Sequence, residues 1–283
     1  MYRLSGIKNK DQRKLYDELS LNEMLDDNFL VQNFIKNFKK WIKKSTYNSL
    51  IGLDIFNDVK ITNGSIQIFD FFYMKHKNRR FRFFHNEFMY HNAVLKNNFN
   101  YKFYDDTIAS EDAFLMSVPF TRTGYKHNDF QKVLEQCENK NVPVLLDFCH
   151  LPCSKNIVYD LNSFNCVETL SFSLSKFFHN AEYMRIGIRF QKDEDFIDDG
   201  IDVFNSVGID MINRICVGIA NKIIEKYPMD FLWNTYGKVY EQICKDHNLI
   251  PTDNIIIAIN EKNERICVSD LIYEKYESSK KSV

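Results

Sequence analysis

Several short stretches carry side chains able to do chemistry, and each lies beside an apolar run. In ITNGS, Gly64 and Ser65 fall where a strand turns into a helix, and the exposed backbone amides and dipole of a helix start suit a phosphate. A plain Asn-Gly strand-to-helix turn reads the same way. VPVLLDFCH ends an apolar run on Asp147, and a buried carboxylate needs a cation, a metal, a helix N-terminus or a protonated ring nitrogen, unless it caps the next segment. SFSLSK supplies two hydroxyls and then Lys176. A lysine in an apolar crevice can become an amine nucleophile, whereas most lysines are solvated surface residues. Arg185, in YMRIGIRF, can reach an anion held by Ser173 and Ser175. The cluster FFHNEFMYHN offers a flat face from Phe88 or Tyr90, or simply core packing.

The elements that must position these residues follow from hydrophobic periodicity. Strands are expected at Val59–Thr62, Arg80–Phe84, Asn98–Tyr104, Ala113–Val118, Val142–Phe148, Val167–Ser173 and Tyr183–Gln191. Helices are expected at Ser65–Lys77 and Asn128–Lys140. The alternation predicts an α/β fold, a mostly parallel seven-stranded sheet sandwiched by helices, with ligands collecting beyond the carboxyl ends of its strands. Lys10 to Lys44 reads as helical, with Leu30, Phe34, Phe38, Trp41 and Ile42 along one side. That stripe can cover the domain or a second subunit, or its basic flank can meet a membrane or a calmodulin-like partner. After Asp199 come helices Val203–Lys226 and Met229–His247, then strand-like Asn254–Asn260 and Glu264–Ser269, a small α+β unit. The expected organisation is a helical segment 1–45, a large domain 46–195 and a small domain 196–283.

Composition narrows the partners. The chain's 283 residues, 45% apolar, are enough for a sizeable core. A net charge of -1 leaves no electrostatic footprint for nucleic acid or anionic membrane. No apolar run approaches the roughly 18 to 20 residues of a membrane span, and MYRLSGIKNKDQRK is too polar for a signal peptide. Seven cysteines, an odd number in apolar stretches, suit reduced thiols and a cytoplasmic location. CHLPC supplies soft ligands without the usual zinc spacing, so no metal site is expected. Ser-His-Asp hydrolysis lacks its Gly-x-Ser-x-Gly elbow.

A phosphate cradle, a ring-nitrogen carboxylate, an amine able to form an imine and a stacking face, in this order, are what pyridoxal phosphate requires. The sequence resembles the fold-type-I pyridoxal-phosphate enzymes, in particular the class I/II aminotransferases, over about residues 45 to 191 and more faintly to Ser269. The resemblance implies that Gly64 and Ser65 hold the cofactor phosphate. It also implies that Tyr90 rather than Phe88 stacks on the ring. VPFTRTG stands in place of the family's Asn-Pro-Thr-Gly turn, putting Thr121 where an asparagine bonds the ring hydroxyl. Asp147 matches the aspartate on the ring nitrogen, and His150 stands where the family has a tyrosine. Lys176 is the implied Schiff-base residue, with Asp147 the second catalytic group. Ser173 and Arg185 are implied phosphate ligands, and Arg265, in ERICVS, grips the substrate carboxylate.

The resemblance further implies a homodimer that moves an amino group from a small-molecule amino donor to a keto acceptor. Thr121 and His150 depart from the family pattern and keep open another pyridoxal-phosphate reaction, such as decarboxylation or elimination; a shortened, inactive aminotransferase-like partner subunit is the other alternative.

Overall fold

The computed structural model describes residues 4–22, 30–178, 184–192 and 212–281. Seven strands form the central sheet: β2 (Asp58–Thr62), β3 (Arg80–Phe83), β4 (Tyr101–Phe103), β5 (Asp112–Ser117), β6 (Val144–Asp147), β8 (Val167–Ser173) and β9 (Gly187–Gln191). Their spatial order is β2-β9-β8-β6-β5-β3-β4. The run β8-β6-β5-β3-β4 is parallel, and β9 lies antiparallel to both β8 and β2. Each of the seven expected runs therefore became a strand, because runs such as Val144–Asp147, buried on both faces, satisfy their backbone only inside a covered parallel sheet.

Helices Ser65–Lys75, Met89–Asn98 and Phe130–Asn139 make the crossovers between successive strands. On one face Phe69, Phe72, Tyr73, Phe81 and Phe83 pack into an aromatic layer. A larger core covers the other face and continues without a break into the helices that follow residue 212. Helix Leu30–Lys43 belongs to this larger core: Phe34, Phe38, Trp41 and Ile42 are buried, and the Trp41 indole donates to the Tyr227 carbonyl at 2.8 Å. Of the readings open for that stripe, it covers its own domain.

Some elements differ from expectation. The single helical stretch expected from Lys10 to Lys44 is broken: helix Lys10–Asp17 ends at Glu18, and Leu30–Lys43 is helical again, while residues 23–29 lie outside the described residues. The strand expected from Asn98 begins at Tyr101, because Asn98 closes a helix whose sequence, MYHNAVLKNN, has little periodic pattern. The helix ending at Lys226 begins at Arg214. Residues 193–211, including the expected domain boundary, and Tyr183, the expected start of the last strand, lie outside the described residues. Helix Phe231–Asp246 leads into a three-stranded antiparallel sheet of β10 (Ile250–Pro251), β11 (Ile257–Ile259) and β12 (Arg265–Cys267). Two further features were not foreseen: the parallel pair β1 (Ser49–Ile51) with β7 (Val158–Asp160), and the helix Ser269–Lys281. Among the described residues no helix is long and apolar enough to cross a membrane, and all seven cysteines are free.

Candidate active site

The carboxyl ends of the neighbouring parallel strands β5, β6 and β8 lie at one edge of the sheet, with antiparallel β9 beside β8. Gly64, at φ 98°, precedes helix Ser65–Lys75. A Cβ on Gly64 would sit 2.7 Å from Nη2 of Arg185, so the guanidinium lies directly against the turn. Gly187 packs from below: a Cβ there would meet the Gly64 carbonyl carbon at 2.6 Å and the Ser65 nitrogen at 2.8 Å. Strand register explains the approach, since Gly187 pairs with Thr62 on one side and Ser173 on the other. Gly64, Ser65, Ser173 and Arg185 thus come together around a helix N-terminus. An exposed guanidinium, a hydroxyl and free-ended amides of that kind are a donor set for a phosphate.

Asp147 ends β6 and is 5% exposed. It accepts from the Cys149 amide at 3.1 Å, and burial pushes its carboxyl up to about 6, against hydrogen bonds from Cys149 and Ser171. The same Cys149 thiol lies 3.7 Å from Ser171 and is in reach of Ser65, which ties Asp147 to the Gly64 turn. A protonated ring nitrogen is a partner that would hold this carboxylate ionised.

His150 is buried, and Nδ1 lies 3.1 Å from the Asn254 side-chain nitrogen. An amide N–H donates there, so Nδ1 accepts and the imidazole carries its proton on Nε2. Burial, followed by the positive charges of Lys176 and Arg265, pushes His150 down to about 3, which keeps the ring neutral. Lys176, His150 and Arg265 therefore share one region. The Lys176 amine donates to the Leu4 carbonyl at 2.6 Å, and Gly6 packs against the Lys176 carbonyl. Arg265, on β12, donates to the Thr121 carbonyl at 2.8 Å, and burial lowers its pKa with help from neighbouring Arg122.

The two aromatic candidates part company. Tyr90 donates from its hydroxyl to Asp70 at 2.6 Å, on helix Ser65–Lys75. Phe88 leaves 39% of its surface exposed, and its amide donates to Glu87 at 3.2 Å.

Glu87 was not singled out from the sequence. It is 2% exposed and its carboxyl receives the Ser117 amide at 2.9 Å, the Ser117 hydroxyl at 2.7 Å and the Thr121 hydroxyl at 3.4 Å. Burial, with the negative charge of Asp147 adding to it, pushes Glu87 up to about 7. Ser117 faces Asp147 in the sheet register, so two buried carboxyls stand at adjacent strand ends. The available signal was position: an acid four residues past the end of β3, inside an aromatic cluster. Asn254 and the Leu4 carbonyl were also missed, and neither had a signal, because both reach the site from distant parts of the chain.

No protein-family model and no curated protein matches the sequence. Solved structures do match. The aromatic aminotransferase from Pyrococcus horikoshii OT3 superposes with TM-score 0.69 at 12% identity, over 100% of this chain and 96% of that one. Cystalysin from Treponema denticola, which contains a pyridoxal 5′-phosphate cofactor, gives TM-score 0.68 at 13% identity, over 99% and 90%. L-threonine-O-3-phosphate decarboxylase from Porphyromonas gingivalis gives 0.52 at 12% identity, over 81% and 80%. The chain has the α/β architecture of the fold-type-I pyridoxal-phosphate enzymes.

Proposed function

We propose that the crevice binds pyridoxal 5′-phosphate and that the protein moves an amino group between an amino acid or amine and a keto compound. The observation that carries this reading is the pairing of the Gly64–Arg185 cradle with a buried Asp147, linked through Cys149 and Ser171. A phosphate dianion and a protonated pyridine nitrogen are the two features these residues fit.

In this reading the amides of Gly64 and Ser65, the Ser173 hydroxyl and the Arg185 guanidinium hold the phosphate. Asp147 accepts from the ring N–H and keeps that nitrogen protonated. Bound pyridoxal phosphate supplies an electron sink for charge left at a substrate Cα. His150, neutral with its proton on Nε2, would be free to donate to the ring hydroxyl as a tyrosine would, with Thr121 as a second group for that oxygen. Lys176, whose amine now donates to the Leu4 carbonyl, would carry the cofactor, and the same amine would move the proton at the substrate Cα. Arg265 receives the substrate carboxylate. Tyr90, its hydroxyl fixed by Asp70, and Phe88, its amide fixed by the Glu87 carboxyl, are the two candidates for the stacking face.

A second reading, decarboxylation or elimination on the same fold, is supported by Thr121 and His150, which would give the ring hydroxyl partners other than the family's asparagine and tyrosine, and by the decarboxylase of the same architecture. Exposed Phe88 and Met89 beside the site support a homodimer, which light scattering would test. The seven free thiols suit a reducing compartment such as the cytoplasm.

The deciding experiment adds pyridoxal phosphate to the purified protein and records its visible absorption, then screens amino donors. A new band that converts to pyridoxamine phosphate with a donor is the expected result. Carbon dioxide release without pyridoxamine phosphate would select the second reading, and no band at any cofactor concentration would sink both.

A further inference from the structure

The anomaly inside the crevice is Glu87. Its carboxyl is buried as deeply as the core around it, and each of its hydrogen-bonding contacts is with a donor: the Ser117 amide and hydroxyl, the Phe88 amide and the Thr121 hydroxyl. The titratable groups facing it are Asp147 from β6 and Tyr73 from helix Ser65–Lys75. Behind Tyr73, neutral His91 from helix Met89–Asn98 hydrogen-bonds its hydroxyl. Nothing in this set is a cation, so among the described residues no salt bridge accounts for an acid at this position.

A hydroxyl has one hydrogen to give. When Glu87 is ionised, Thr121 spends that hydrogen on the carboxylate and turns its lone pairs elsewhere. We propose that Glu87 is a positioning residue that makes Thr121 a hydrogen-bond acceptor, not a donor, toward the ring hydroxyl of bound pyridoxal phosphate. The inference rests on the cofactor reading above. An asparagine in the place of Thr121 offers an N–H, which favours an ionised ring oxygen. Above about pH 7, where Glu87 is ionised, Thr121 held by it offers only lone pairs, which favour a ring oxygen that keeps its proton.

The test reads the pH midpoint of the visible absorbance of bound pyridoxal phosphate, with affinity measured by equilibrium dialysis. Glu87→Gln turns an amide N–H toward the two hydroxyls and frees the Thr121 hydrogen, so the midpoint should fall by about one pH unit, roughly a tenfold change in proton affinity. In a Thr121→Val background the same Glu87→Gln change should move the midpoint little, because the group through which Glu87 acts is gone. A shift that persists in full in Thr121→Val would show that Glu87 acts by its charge alone and overturn the proposal, as would an unshifted Glu87→Gln. Should Glu87→Gln fail to fold, Thr121→Asn carries the test: its N–H donates whatever Glu87 does, so the midpoint should fall, and an unmoved midpoint overturns the proposal. Absence of a visible band in the unmodified protein would reject the cofactor reading itself, a result distinct from an unshifted midpoint.

Discussion

Glu87 and Asp147 hold protons that exposed carboxyls would lose, and this gives the folded chain a distinctive titration. In the folded state Glu87 stays protonated to about pH 7, against an ordinary value of 4.5. Between those limits the native chain binds one proton more than the unfolded chain, so its stability declines as pH rises through the window. Glu87→Gln removes that term. Relative to the parent, the cofactor-free variant should gain roughly 3 kcal/mol between pH 4.5 and pH 7, seen as urea midpoints that diverge with pH. Parallel midpoint curves would mean that Glu87 is ionised in the native state throughout. His150 has the opposite sign: held near 3, it costs stability as pH falls below its ordinary 6.5. In chemistry, Lys176→Ala should abolish turnover while leaving phosphate-dependent cofactor binding, and Asp147→Ala should lose most activity; full rates in either variant contradict the roles assigned. Asp147, Lys176 and Arg185 drew notice from the sequence because charged types are scarce beside buried apolar runs. Glu87 was overlooked because aromatic neighbours drew attention to stacking, and its burial depends on β5 packing beside the loop, which no local pattern encodes.

At the scale of elements, the cradle depends on two glycines with different burdens. Gly64 needs a backbone that L-residues rarely adopt, and Gly187 needs the absence of a side chain against backbone that cannot retreat. Gly64→Ala and Gly187→Ala should each cost about 1–3 kcal/mol, read from urea denaturation. Arg185→Ala, removing an exposed side chain, should leave the urea midpoint nearly unchanged and weaken pyridoxal phosphate binding at least about tenfold, measured by dialysis. Equal loss of stability in all three variants would make the turn a purely structural feature. The strands that carry this geometry were legible because buried parallel strands read as continuous apolar runs bounded by polar ends, as in Val144–Asp147. Helix Met89–Asn98 was not, since a helix held by the aromatic layer beneath it needs no strong stripe of its own. β1 and β7 escaped for a related reason: each is three residues long and is a strand only because the other is present.

Across the whole molecule the sheet is polarised. At the carboxyl ends of its strands stand the groups assigned to chemistry; at the start of β5, Asp112 anchors the opposite end. Asp112 is fully buried and accepts from Arg80 at 2.6 Å, Arg82 at 2.9 Å and the Ala109 amide at 2.8 Å. Arg82, itself buried, also pairs with Asp105 and donates to the carbonyls of Lys102 and Phe103 on β4. The chain brings its far ends to the other pole: Leu4 reaches Lys176, Asn9 donates to Tyr236 at 2.7 Å, and Asn254 reaches His150. Charge at the anchor is satisfied by fixed partners, whereas the carboxyls at the other pole are held back from ionising by burial, which is the contrast expected between a structural network and the proposed site. Removing one partner of a buried ion network leaves the other charge stranded, so Asp112→Asn should cost about 3–5 kcal/mol. Asp112 and Ser117 are five residues apart on β5, roughly 16 Å at strand spacing. The folded fraction of Asp112→Asn should therefore bind pyridoxal phosphate with the parent's affinity and absorbance midpoint, measured well below the denaturation temperature. A shifted midpoint or a weakened affinity in that variant, at unchanged stability, would show that the two poles are not separate and that the anchor belongs to the site.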